Sequence, residues 1–205
     1  HLEEKHRRRA RNDLNAYCQF IEIPGAPVND SDPDCEEFYP DSVTPAAHHR
    51  LINESLMRME RGELPRLMIF MPPGSAKSTY GTVTAPTWFM GRRPGRNIIC
   101  TSHTSELAAR FGRRCRQITR SDKYRQIFDC SLQADNKAAD DWSLTNSSTY
   151  IAGGILTGMA GNRADFLFID DPLRGRQDAD SETIRNKLWE EYRANLRTRL
   201  KPNGG

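Results

Sequence analysis

Two short stretches carry residues that could do chemistry together. The first is Pro72-Pro73-Gly74-Ser75-Ala76-Lys77-Ser78-Thr79, which follows an apolar run from Leu67 to Met71. The pattern reads as a buried strand, a tight loop and the start of a helix. Lys-Ser at the mouth of a helix after such a loop suits phosphate: loop N–H groups and the helix N-terminus hold phosphate oxygens, Lys reaches the β/γ-phosphates, and the Ser hydroxyl ligates Mg²⁺. The full spacing G-x-x-x-x-G-K-[ST] is half met, because Met71 and Ala76 stand where its glycines belong. Taken alone, the loop could equally be a turn between a core strand and a helix. The second stretch is Phe166-Leu167-Phe168-Ile169-Asp170-Asp171. A continuous apolar run reads as a parallel strand buried on both faces, and ligands of open α/β sheets sit at the carboxyl ends of strands. Of two acids there, Asp170 and Asp171, one could hold Mg²⁺ while the other orients the attacking water. Two solvated aspartates capping a strand are the plain alternative. The pair of stretches together points to a nucleoside triphosphate with Mg²⁺.

Composition narrows the setting. A chain of 205 residues suits one domain, or one domain and an arm. No apolar run approaches the ~20 residues of a membrane span, and the charged start HLEEKHRRRARND lacks the apolar core of a signal peptide. The five cysteines are scattered, without a C-x-x-C pair, which argues against a zinc site or a disulfide framework. Reduced thiols in a cytosolic setting are expected. A net charge of +3 says little about nucleic acid, so the distribution of charge has to carry that argument.

Residues 3–23 read as one amphipathic helix, with Leu14, Tyr17, Cys18 and Ile21 at helical spacing and Lys5, Arg7, Arg8, Arg9 and Arg11 at its start. Residues 24–41 hold prolines and six acids with no basic residue, the composition of a surface linker. Residues 1–41 are therefore expected to form a helical arm with an acidic linker, and 42–205 the main domain. A helix follows Pro45, with Ile52, Leu56 and Met59 as its stripe and Gly62 at its end. His48 and His49 open it, and His49 lies where a base-contacting residue could sit; an exposed or internally satisfied histidine is the alternative. The helix after Ser78 meets Pro86, which should kink it. Asn97–Ser102 reads as a strand, and Thr104 with its neighbours caps a helix lined by Leu107, Phe111, Cys115 and Ile118. Arg110, Arg113, Arg114 and Arg116 on that helix make a basic surface fit for phosphate backbones, or a merely solvated face. Trp142 is the expected anchor of an irregular polar stretch, 149–152 a short strand, and Gly153, Gly154, Gly158 and Gly161 a mobile loop. A charged loop over 172–180 leads to a helix opened by Ser181 and Glu182. Strand and helix alternating in this way predict an α/β fold with a mostly parallel sheet flanked by helices in three layers.

Four runs carry a resemblance. GELPRLMIFMPPGSAKST at 62–79, TSHTSELAARFGRR at 101–114, GMAGNRADFLFIDDP at 158–172 and DADSETIRNKLWEEY at 178–192 are similar, in this order, to the large terminase subunit of tailed bacteriophages and prophages. The resemblance covers about 45–200 and leaves the first 40 residues outside it. It implies a P-loop NTPase fold and a motor that hydrolyses ATP with Mg²⁺ to drive double-stranded DNA through a portal protein into a procapsid. It further implies a small terminase subunit as partner, a homo-oligomeric ring on the procapsid, no membrane, and the cytoplasm of the bacterial host. Pro73 to Thr79 would be the Walker A loop, with departures at Met71 and Ala76 that the family tolerates. Asp170 would hold Mg²⁺ with Ser78. Asp171 stands where many relatives carry a catalytic Glu and reaches about one methylene less. Arg163 resembles the arginine offered to a neighbouring subunit's ATP; Arg174 and Arg176 compete for that role, and a salt bridge to Asp165 or Asp171 is the structural alternative.

The resembled class also places one further strand, later in sequence, between the phosphate-loop strand and the acidic strand. The last 25 residues offer no candidate for it. The two strands are thus expected not to pair directly. Together with His1 in place of Met, and with no nuclease carboxylate cluster, this leads to the expectation of an ATPase part of a longer protein. A helicase-like translocase and an ATP-binding assembly module that does not hydrolyse remain open on the residues alone.

Overall fold

The computed structural model describes residues 2–135, 138–157, 159, 161–202 and 204–205. Asp13 divides its N-terminal segment. The Asp13 backbone is extended and its carboxylate accepts the N–H groups of Asn15 and Ala16, so the single helix expected over 3–23 is two, α1 (Leu2–Asn12) and α2 (Leu14–Phe20). They do not stand off as an arm. Ala10, Leu14, Tyr17 and Cys18 are buried in one cluster with Trp88, Phe89 and Tyr124. The Tyr17 hydroxyl lies 2.8 Å from Thr87 Oγ1, and Trp88 Nε1 donates to the Ala10 carbonyl at 3.0 Å.

The acidic connection is also more than a surface linker. Its ends pair antiparallel as β1 (Ile23–Pro27) and β2 (Phe38–Asp41), with an irregularity between Pro24 and Pro27. It lies over the helix whose arginines were expected to face phosphate. Next come α3 (Ala47–Glu60) and the phosphate-loop segment, then a π-helical turn, Thr79–Thr84, running into α4 (Ala85–Arg92). Pro86 has no N–H to give its i−4 carbonyl, and the wide turn just before it accommodates that loss. Then follow β3 (Asn97–Ser102), α5 (Ser105–Arg120) capped by Thr104, α6 (Asp122–Phe128), β4 (Asp141–Ser143) and β5 (Thr149–Gly154).

On α5 three of the four arginines of the expected basic surface are engaged, while Arg110 stays exposed. Arg113 donates to Asp34 and to the Pro33 carbonyl, Arg114 to the Pro24 carbonyl, and Arg116 to Glu36. Arg113 and Arg116 are 5% and 2% exposed, so they are not available to DNA. Two of the six acids in 24–41, Asp34 and Glu36, are the counter-charges of Arg113 and Arg116. Gln117 completes the seam, accepting from Phe38 N–H and donating to Phe38 O.

The main sheet has the order β4-β5-β3-β6, where β6 is Phe166–Ile169. β3 runs parallel to both β5 and β6, and β4 is an antiparallel edge. The fold is thus α/β with a mixed sheet flanked by helices. Trp142 is fully buried and stacked on Tyr150, the anchor expected of it. Gly153 and Gly154 close β5 as buried residues instead of opening a mobile loop; Gly158 lies outside the described residues. Beyond β6 come α7 (Arg176–Asp180), inside the expected charged loop, and α8 (Glu182–Glu191), capped by Ser181. Among the described residues no helix is long and apolar enough to cross a membrane. The five cysteines are free and buried.

The strand expected over 67–71 does not join the sheet. Leu67, Ile69 and Met71 pack half-buried on the core, while Met68 and Phe70 are 79% and 85% exposed. Burial alternates with period two, as in a strand, but no ladder forms, and among the described residues no strand lies beside it. β6 pairs with β3 and not with 67–71, as expected. The outer edge of β6 is instead bonded by the tail: Leu167 N–H donates to Gly205 O at 2.8 Å and Gly205 N–H to Asp165 O at 2.9 Å.

Packing of the N-terminal helices into the core has a measurable cost. Leu14→Ala is expected to lower unfolding free energy by roughly 2–5 kcal/mol in urea titration, the range for a fully buried leucine. A loss under about 0.5 kcal/mol, the size of a surface substitution, would mean that this segment is an arm after all.

Candidate functional site

The site lies at the carboxyl ends of β3 and β6. Their parallel register pairs Thr101 with Ile169, and Asp170 N–H carries the pairing one residue further by donating to Thr101 O at 2.9 Å. Asp170 and Asp171 therefore emerge at the height where β3 ends and His103 begins its turn into α5. The Asp171 backbone is left-handed, φ +41°. A residue with a Cβ is strained there by about 1–2 kcal/mol. Two contacts hold it: Lys77 Nζ donates to Asp171 Oδ1 at 2.6 Å, and the His103 ring nitrogen Nδ1 lies 3.1 Å from Asp171 O.

Residues 72–79 come to the same edge, where Lys77 meets Asp171. Gly74 and Ala76 both have positive φ, +77° and +58°, on either side of Ser75. Turns with left-handed residues can aim successive N–H groups at an anion. Ala76 takes that conformation at the position where the full motif has Gly. The loop is tied internally by Ser75 Oγ donating to Pro72 O at 2.6 Å, and from outside by His49. His49 Nδ1 accepts from Ala46 N–H, which leaves Nε2 to donate to Ser75 O at 3.1 Å. Its ring stacks on Tyr80. Burial pushes the His49 pKa down, the bond to Ser75 O opposes this, and neighbouring His48 adds to the lowering. His49 is thus a neutral prop behind the loop, with both ring nitrogens engaged and one face covered. The Thr79 hydroxyl accepts weakly from Arg114 at 3.4 Å.

Asp170 is the most buried acid of the site, 8% exposed, and its Oδ2 has no hydrogen-bond partner. Burial raises its pKa above the ordinary 3.8; the hydroxyls of Ser78 and Thr82 beside it pull the other way, and the Asp171 charge raises it again. A buried carboxylate oxygen without a partner, next to a serine hydroxyl, is a hard-oxygen set that fits Mg²⁺. Among the described residues no group of three or more His, Cys, Asp or Glu gathers for a metal. Mg²⁺ does not need one, because it keeps waters and takes substrate phosphates as ligands.

Arg163 is exposed, just before β6. Neither alternative salt bridge forms: Asp165 takes Arg96 and Lys201, and Asp171 takes Lys77. Burial would raise the Asp165 pKa, but the bonds from Lys201, Asn97 N–H and Arg96 hold it below its ordinary value. Arg176 pairs with Asp180 on α7, while the Arg174 N–H donates to Asp178. The structure thus brings together Lys77, Ser78, Asp170 and Asp171, sets His49 behind them, and leaves Arg163 facing solvent. His103 is the site residue that the motifs passed over. Its position at the carboxyl end of a parallel strand was the available signal.

The family described as "Terminase large subunit, T4likevirus-type, N-terminal" matches residues 68–198, well over half of the chain. No curated protein matches the chain.

The raised pKa of Asp170 has a stability consequence. The folded state binds this proton more tightly than the unfolded state. The resulting penalty is absent below about pH 3.8, grows as pH rises through the folded pKa, and is constant above it. Asp170→Asn removes the charge, so its melting temperature without nucleotide should exceed the parent's at pH 7, with the gap closing toward pH 4. An equal or lower melting temperature at pH 7 would contradict a net burial penalty on this carboxylate.

Proposed function

The chain belongs to the T4-like terminase large subunit family, in its N-terminal part, and from that premise we propose that it is the ATP-hydrolysing motor of DNA packaging. Its reading is a P-loop NTPase in which residues 73–79 are the Walker A loop and β6 with its acids is Walker B. The observation that carries it is the contact between Lys77 Nζ and Asp171 Oδ1. The two halves of the motif, 94 residues apart in sequence, meet at hydrogen-bond distance.

Lys77 and Asp171 are 28% and 55% exposed, and such an ion pair is worth about 0–1 kcal/mol. A triphosphate offers Lys77 several charged oxygens in exchange, so the pair opens at little cost. Lys77 then neutralises β/γ-phosphate charge, and the loop N–H groups hold the phosphate oxygens. Release of the lysine frees the Asp171 carboxylate to accept a proton from water as that water attacks the γ-phosphorus. The bond between the γ-phosphorus and the β,γ-bridging oxygen breaks, and ADP leaves with the electron pair. Ser78 and Asp170 are the residues that would hold Mg²⁺, which when bound screens the charge of the phosphates. Arg163, free of an ion pair among the described residues, is placed in this reading as the arginine offered to the next subunit of a ring. Double-stranded DNA is the substrate moved, with a portal protein and a small terminase subunit as partners in the cytoplasm of a bacterial host.

Phosphate release from Mg-ATP tests this reading. Lys77→Ala is expected to lose both nucleotide binding and turnover. Arg163→Ala should still bind nucleotide but lose the rise in specific activity with protein concentration, since a finger from a neighbour is worth roughly 10³–10⁵ in rate. Unchanged turnover in Lys77→Ala would remove the Walker A assignment. Binding without turnover in the parent, with DNA and procapsid present, would favour the non-hydrolysing assembly module.

A further inference from the structure

The acid pair is registered by β3, not by the phosphate loop. Thr101 O takes the N–H of Asp170, and two residues on His103 takes the carbonyl of Asp171. A carbonyl oxygen can only accept, so His103 carries its hydrogen on Nδ1 and donates it. That bond falls on the residue with the strained backbone, φ +41°, where unaided relaxation would swing the carboxylate away from the loop. Among the described residues, Asp171 has two side-chain partners, Lys77 on its carboxylate and His103 on its carbonyl. The first is surrendered when Lys77 turns to phosphate. The second is not, because His103 sits between β3 and the capped start of α5, which a ligand in the loop does not displace.

We infer that His103 is the positioning residue of the site: its Nδ1–H bond to the Asp171 carbonyl keeps the Asp171 carboxylate aimed at the phosphate loop after Lys77 lets go. The inference rests on the ATPase reading for its catalytic consequence and on the backbone geometry alone for its structural one. Loss of His103 leaves the loop, Lys77 and Ser78 in place, so nucleotide affinity is kept. It frees the base in the loaded state, so turnover falls. A misplacement of about 1 Å costs on the order of 10²-fold in rate. Asparagine is the informative replacement, because its Nδ2–H occupies nearly the position of the histidine Nδ1–H.

Two measurements separate the parts. In the first, binding of a fluorescent ATP analogue and steady-state ATP turnover are read for the parent, His103→Ala and His103→Asn in the full chain. The expected result is analogue affinity within about twofold in all three, kcat at least about tenfold lower in His103→Ala, and recovery to within about threefold in His103→Asn. The second is a nucleotide-free crystal structure of parent and His103→Ala, which needs no activity. Asp171 is expected to keep positive φ in the parent and to leave it in His103→Ala. A His103→Ala kcat within twofold of the parent's, no recovery by His103→Asn, or an Asp171 that stays left-handed without His103 overturns the inference. A parent chain that neither binds nor hydrolyses ATP fails the ATPase reading instead, and the crystal structures still decide whether His103 holds Asp171.

Discussion

The parallel pairing of β6 with β3 is the constraint on which the site depends. It fixes Ile169 opposite Thr101, so the next two residues leave the sheet where β3 also ends. One carboxylate, Asp170, is pressed into the protein, and the other, Asp171, is turned outward by a left-handed backbone. A shift of register by one residue would exchange these environments, because successive side chains point to opposite faces. The different environments of two chemically identical acids are therefore set by the backbone: burial makes one costly to ionise, and exposure leaves the other able to exchange partners.

The N-terminal third supports this arrangement from behind. α1 and α2 bury Ala10, Leu14 and Tyr17 against α4, the helix that continues from the phosphate loop. The acidic connection holds α5 through buried arginines, and α5 in turn packs on β3 and β5. The acid partners stay exposed, Asp34 at 86% and Glu36 at 43%, so each ion pair by itself is worth about 0–1 kcal/mol, and the attachment also uses the bonds from Arg113 and Arg114 to the Pro33 and Pro24 carbonyls.

The parts of the fold that rest on local pattern were legible. The apolar runs of β3 and β6, the Thr104 and Ser181 caps and the buried Trp142 are each specified by their own residues. The residues that the structure brings together were legible for the same reason, since Lys77-Ser78 and Asp170-Asp171 each follow a run that ends at a strand edge or loop. What escaped was set by partners distant in sequence. Arg113 and Arg116 look like a solvated face until residues 34 and 36 are laid over them. Residues 67–71 have the composition of a core strand, yet a strand needs a neighbour, and among the described residues none is supplied. His103 reads as part of a helix cap, and its role follows only from what β6 brings beside it. Asp13 is the exception: an aspartate before an apolar helical run is a local cap signal that helical periodicity over 3–23 masked.

The central claim is that Lys77 and Asp171 hold each other until a triphosphate separates them. A crystal structure of the chain with Mg²⁺ and a non-hydrolysable ATP analogue tests it most directly. The account predicts Lys77 Nζ within about 3 Å of β- and γ-phosphate oxygens, its contact with Asp171 broken, and Asp171 still left-handed beside the γ-phosphate. An analogue bound away from residues 73–79, or bound there with the Lys77–Asp171 contact intact, would contradict it.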